Sequence, residues 1–274
     1  MAEQPPAGVR AAFGVAAAPV RRLPSGGSCW QADGVVLKPG QDPVAASWLA
    51  EVSADLSGPD FRVPRPVRAA GGAWVVDGWA AWTAVAGEPA PVEHWPRLIE
   101  VSRAFHAAVA GIPLPAWVAR RRDRWAVADR AVWEAAEVEV APELADLVAA
   151  LRAVTRPVRR PEQFVHGDLA GNVLFAAGYR PAVIDLSPIW RPPGYALAIA
   201  AVDVLTWSGA APSILDALAD EDDLDQLLVR ALTWRLVTES LGRPDARGRQ
   251  EVRRAHLPVV DLVLSRAHGR HPGG

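Results

Sequence analysis

The chain has 274 residues, half of them hydrophobic, and a formal net charge of -2. That length fills one large domain or two smaller lobes around a substantial core, and the balanced charge gives no electrostatic case for nucleic acid or an anionic membrane as partner. Cys29 is the only cysteine, which excludes an intrachain disulfide and a multi-cysteine zinc site.

Residues 1–10 carry no apolar signal core. The longest apolar run, Tyr195 to Trp207, is broken by Asp203 and is too short for a bilayer. A soluble, cytoplasmic protein is therefore expected. Of the 29 basic residues, 28 are Arg and one, Lys38, is Lys. In so Arg-rich a chain a retained Lys marks a position where a planar fork cannot replace a compact point charge, or it survived by accident.

A short helix is expected near Val9 to Phe13, then a strand over Val20–Leu23, a small-residue loop through Ser28 and a second strand over Cys29–Ala32. Asp33-Gly34 is a two-residue hairpin signal leading into Val35–Lys38, so Lys38 ends a third strand. Asp42-Pro43 opens a helix, with Asp as N-cap and Pro at the first position. Val44, Trp48 and Val52 mark its apolar stripe and place Glu51 toward the packed side, where a carboxylate needs a cation. Val63–Ala69 and Ala73–Val76 read as two more strands joined at Gly71-Gly72, completing five. Asp77 to Gly87 reads as a connection, with Trp79 and Trp82 either walls of a site or ordinary core.

From Pro96 the pattern turns helical. Leu98, Val101, Phe105 and Val109 form a stripe ending at Gly111, and helices are expected over Pro115–Glu134, Pro142–Val154, Tyr195–Ser208, Ser213–Leu218, Leu224–Leu241 and Arg249–His268. Between them, Val173–Phe175 and Ala182–Ile184 flank a turn with Gly178 and Pro181, the pattern of an antiparallel hairpin. Its strand ends lie roughly 5 Å apart. Asn172, Asp185 and the His166-Gly167-Asp168 loop therefore meet, and their hard oxygen donors suit Mg²⁺ with water and phosphate completing its shell.

The stretch His166-Gly167-Asp168, then Asn172 and Asp185, resembles the catalytic loop and metal-binding Asp of the kinase-like phosphotransferases, specifically the aminoglycoside phosphotransferase superfamily. Trp190-Arg191-Pro192-Pro193 makes it look like an actinobacterial branch with no assigned substrate. The resemblance implies an α+β, protein kinase-like two-lobed fold, with a strand-rich N-lobe over residues 1–79, a helical C-lobe over 80–274 and a hinge about 77–87. The N-lobe would hold a five-stranded antiparallel sheet. Asp168 would accept the substrate hydroxyl proton, and Asn172 and Asp185 would hold Mg²⁺ on the phosphates of ATP or another NTP. Lys38 would clamp phosphate and Glu51 would position it, with Asp55 as rival. The loop of Ser25, Gly26, Gly27 and Ser28 would cover the phosphates, and adenine would sit near Ala80 to Thr83.

The activity implied is transfer of the γ-phosphate to a hydroxyl of a small molecule such as an antibiotic, amino sugar or amino alcohol. Only Leu169, Ala170 and Gly171 separate Asp168 from Asn172, where the kinase pattern has four residues. Gly171 can absorb the shortening. The shortening also keeps open a nucleotide-binding regulator without transfer activity. No activation segment follows Asp185, which argues against a protein substrate. His166 is expected to tie the loop backbone and not to accept the proton. The acidic run Asp220 to Asp223, with Asp225, either lines a site for a cationic acceptor or is a solvated helix start.

Overall fold

Two Asp-Gly pairs shape the strand-rich part of the molecule. In the computed structural model, Asp33-Gly34 has φ values of 43° and 72°, and Asp77-Gly78 has 48° and 74°. Paired positive φ at both central residues is the turn that matches the twist of two antiparallel strands. Residues 3–23, 28–89, 92–243 and 245–269 are described. By packing the chain divides into two units, Met1–Pro89 with Asn172–Leu186, and Ala90–Gly171 with Ser187–Gly274. This partition differs from a single cut at residue 79, because the hairpin after Gly171 packs with the first unit.

The first unit begins with α1 (Ala7–Ala12), β1 (Arg21–Arg22), β2 (Trp30–Ala32), β3 (Val35–Lys38) and α2 (Pro43–Asp55), and continues through β4 (Pro66–Val67), β5 (Val75–Val76), β6 (Trp79–Thr83) and β7 (Glu88–Pro89). The sheet runs β1-β2-β3-β6-β4, with β5 also on β6. It has six strands where five were expected. The sixth is β6, the segment expected as hinge and adenine site. Lys38 pairs with Ala80 and Val35 with Thr83 on one edge of β6, while Val67 pairs with Ala81 and Val76 with Trp79 on the other. The backbone of Ala80 to Thr83 is thus spent in the sheet. Trp79, Ala80 and Ala81 are buried, so Trp79 is core. It packs with Val9, Phe13, Val15, Trp30, Leu37 and Ala69.

Helix α2 starts as expected, with the Asp42 carboxylate accepting from the Val44 and Ala45 N–H groups at 3.0 and 2.9 Å. Its buried face is different. Ala46, Ala50 and Ser53 point inward, and Val44 is 57% exposed. Small side chains let the helix sit close, and Glu51 lies on the exposed side.

The second unit takes up α3 (Trp95–Val109), α4 (Arg124–Trp133), α5 (Pro142–Ala153) and β8 (Gln163–His166). Leu98, Val101, Phe105 and Val109 are buried along α3 as the stripe required. The helix expected from Pro115 begins only at Arg124. There the Asp123 carboxylate caps it by accepting from the Ala126 N–H at 3.0 Å, and Arg121 ahead of it is extended.

The chain then returns to the first unit for β9 (Val173–Phe175) and β10 (Ala182–Val183), paired Val173 with Val183. Strand β7 adds on the far side of β9. Arg62 ties the hairpin down: its N–H donates to Pro181 O and its own O accepts from Val183 N–H, each at 2.9 Å.

The second unit closes with β11 (Pro188–Arg191) on β8, then α6 (Gly194–Trp207), α7 (Leu224–Gly242) and α8 (Ala246–Gly269). Helix α7 packs against α4, α5, α6 and α8 and is buried nearly all round from Leu224 to Thr238. No helix among the described residues is long and apolar enough to cross a membrane.

Candidate active site

Within the first unit, β3 delivers Lys38 and the hairpin end delivers Asp185, and the Lys38 ammonium donates to Asp185 Oδ1. The side chains are 33% and 47% exposed. An exposed ion pair contributes about 0–1 kcal/mol. Asp185 meanwhile sits at φ 49°, a left-handed backbone that costs a non-glycine residue on the order of 1–3 kcal/mol. Asn172 lies across the same hairpin end, its carbonyl accepting from Ile184 N–H at 2.9 Å. Cys29 is beside the pair, and burial pushes its thiol above the ordinary value, with Lys38 opposing and Asp185 adding to the shift.

Among the described residues no three His, Cys, Asp or Glu side chains form a metal-binding group. A carboxylate and an amide, both hard oxygen donors, fit a Mg²⁺ that takes one or two protein ligands and completes its shell with water and phosphate.

Of the remaining expected residues in this unit, Ser25, Gly26 and Gly27 lie outside the described residues, and Ser28 is exposed. Glu51 does not approach Lys38 as expected, because the α2 face that carries it looks to solvent. Asp55 is exposed as well. The partner of Lys38 is Asp185.

Within the second unit, β8 runs into the loop bearing Asp168. Gly167 N–H donates to Ser187 O at 2.9 Å, and a Cβ at Gly167 would stand 3.2 Å from the Ile189 side chain. Asp168 N–H donates to His166 Nδ1 at 3.1 Å, so His166 ties the loop backbone, as expected. His166 N–H in turn donates to His106 Nε2 at 3.1 Å, and His106 Nδ1–H donates to Ser102 O at 2.7 Å. One ring nitrogen accepts and the other donates, so His106 is the neutral Nδ1–H tautomer. Burial pushes its pKa down to about 3, with His166 adding to the shift. Gly171 takes φ 83°, a left-handed backbone that glycine adopts without steric cost.

The Asp168 side chain, 47% exposed, accepts from Arg235 Nη2 at 3.1 Å. Arg235 also grips Asp203, Nε to Oδ1 at 2.6 Å and Nη2 to Oδ2 at 2.5 Å. Sequence reading missed Arg235 and His106, and took Asp203 only as a break in an apolar run. The signal was present: an Asp within an apolar helix must find a partner.

Other charged features prove structural. Asp220 and Glu221 pair with Arg103, Asp222 and Asp223 with Arg160, and Asp225 with Arg266. Every acid of the run is thereby engaged by an Arg, three Arg for five carboxylates, so the run serves ion pairs within the second unit. Arg191 is buried against Asp129 at 2.5 Å.

A family model described as "Phosphotransferase enzyme family" matches residues 38–227, from Lys38 through both loops to α7. Among solved structures, the chain is similar to an aminoglycoside phosphotransferase from Alicyclobacillus acidocaldarius, with 13% identity, TM-score 0.61 and coverage of 98% of this chain and 97% of that one. It is similar to a choline/ethanolamine kinase family protein from Mesorhizobium loti, with 17% identity, TM-score 0.60 and 92% of each chain covered. It is also similar to an AMP-bound spectinomycin phosphotransferase, with 13% identity, TM-score 0.59 and 96% of each chain covered. At such identities the likeness is one of fold, and that fold is the α+β, kinase-like one. No curated protein matches the sequence. A strand-rich unit carrying Lys38 and Asp185, a helical unit carrying Asp168, and a family match that begins at that Lys lead to one conclusion: the chain belongs to the phosphotransferase enzyme family.

Proposed function

We propose that the protein transfers the γ-phosphate of ATP, or of another nucleoside triphosphate, to a hydroxyl group of a small molecule. The observation that carries this reading is the Lys38–Asp185 contact. The one Lys of the chain is brought across 147 residues onto the Asp that closes the hairpin. The two are complementary tools at a phosphate, a compact cation for its oxygens and a hard anion for a metal.

In the reaction the acceptor oxygen forms a bond to the γ-phosphorus as the bond from that phosphorus to the β–γ bridging oxygen breaks and ADP departs. The hydroxyl proton passes to Asp168 and is later released to solvent. Lys38 balances charge on the phosphates. Asp185 and Asn172 would hold Mg²⁺, which would supply neutralisation of phosphate charge. His166 and His106 fix the Asp168 loop from behind.

Protein acceptors are disfavoured because β11 begins three residues after Asp185, leaving no length for an activation segment. The spectinomycin phosphotransferase and the choline/ethanolamine kinase family protein support an antibiotic, amino sugar or amino alcohol as acceptor. The Gly171 backbone accommodates the shortened loop, so nothing in the site favours the regulator reading.

The test is nucleotide consumption across a library of hydroxyl compounds, with wild type and Asp168→Asn in parallel. The expected result is one compound class that wild type consumes and the variant does not. Consumption that is the same in both proteins for every compound would overturn the reading.

A further inference from the structure

Helix α6 carries Asp203 in an otherwise apolar stretch, and α7, buried nearly all round, carries Arg235. The Asp203 side chain is 9% exposed and that of Arg235 13%, while Asp168 at the other end is 47% exposed. The Arg235–Asp203 fork is complete in itself, with two N–H donors on two carboxylate oxygens. Yet the same Nη2 reaches on to Asp168 Oδ1 at 3.1 Å. Burial works to discharge the guanidinium, and the Asp203 and Asp168 carboxylates outweigh it, holding Arg235 above the ordinary arginine value.

We propose that Arg235, fixed in place by Asp203, is the positioning residue for the proton acceptor Asp168; this rests on the phosphotransfer reading above. Three features carry it. A buried ion pair is a weak source of stability, because an apolar pair of similar volume usually serves as well, so its placement against Asp168 calls for another reason. Two carboxylates share one cation, so the cluster keeps a net negative charge at its open end, where a proton is to be taken. A guanidinium has donors only and no acceptor, so Arg235 orients Asp168 without competing for that proton. A base displaced by 1 Å loses on the order of 10²-fold in rate, which sets the size of the effect expected here.

The experiment measures ADP release from Mg-ATP, with water as the acceptor, in wild type, Asp168→Asn, Arg235→Ala, Arg235→Lys and the double variant Asp203→Asn/Arg235→Gln. The double variant replaces both buried charges by neutral amides, so no charge is left buried without its partner if Arg235→Ala fails to fold. The expected result is a kcat lowered about 10²-fold in the lysine and double variants, with KM for Mg-ATP within about twofold. Methylguanidinium restores part of the Arg235→Ala rate at an unchanged Tm, which a merely structural role would not give. Wild-type kcat in the Arg235 variants, with Asp168→Asn impaired, overturns the positioning role alone, and so does a parallel loss of kcat and nucleotide affinity. Equal ADP release by wild type and Asp168→Asn, repeated with every compound of the hydroxyl library, overturns the phosphotransfer reading and the positioning role with it.

Discussion

At the residue scale, Lys38 was legible because composition isolates it: one Lys among 29 basic residues, at the end of a strand. Asp168 and Asp185 were legible as a motif. Arg235 was not, because 67 residues separate it from Asp168 and one Arg among 28 carries no compositional signal. Two predictions belong to this scale. Asp168→Asn should lower turnover by roughly 10²- to 10⁴-fold, the usual contribution of a positioned base, with Mg-ATP affinity little changed; equal loss of both, measured by steady-state kinetics and calorimetry, would make Asp168 a structural residue. Mg-ATP at about one hundred times its dissociation constant should stabilise the fold by about 2.7 kcal/mol. That shift in thermal unfolding should need Mg²⁺ and shrink in Lys38→Ala and Asp185→Ala. Full shifts in both variants would remove Lys38 and Asp185 from the nucleotide site.

Elements were legible where local chemistry decides them. The caps of α2 and the stripe of α3 stand where the sequence places them, and so does the hairpin after Gly171. They failed where packing decides. The apolar run Trp79–Thr83 reads as a connection only if Asp77-Gly78 is overlooked, although it is the same turn signal as Asp33-Gly34. The inward face of α2 was misjudged because large apolar side chains were taken as the buried ones, and a close helix buries Ala instead. The same packing logic yields a prediction at Gly87, which precedes β7. Its φ is 132°, and an added Cβ would stand 2.9 Å from the Leu174 Cβ on β9. Gly87→Ala should therefore destabilise by about 1–3 kcal/mol, through strain and overpacking. Denaturant unfolding checks it, and a midpoint equal to wild type would mean that β7 is free to shift off β9.

At the scale of the whole molecule, the division into two units separates the titration behaviour of the chain. All 6 histidines fall in the second unit and none in Met1–Pro89 or Asn172–Leu186. Two of them are buried with depressed pKa values: His106, which burial pushes down to about 3, and His256, lowered by burial on α8. Each folded-state value lies below the ordinary 6.5, so the folded chain resists protons that the unfolded chain binds. Their contribution to stability is complete above pH about 6.5 and is lost as pH falls below it, for His106 through the window down to about 3, at about 1.4 kcal/mol for each unit of pKa difference traversed. Acidification from pH 7 to 5, above the range of ordinary carboxylates, should loosen the second unit while the sheet of the first holds. Segment-resolved hydrogen exchange, corrected for intrinsic rates, should show falling protection in α3 and α8 and steady protection in β2, β3 and β6. His106→Gln can still accept from the His166 N–H and donate to Ser102, and without a titrating ring it should flatten the response of α3. If the first-unit sheet loses protection in step with α3 and α8, or if His106→Gln leaves the α3 response unchanged, the histidines are not its source.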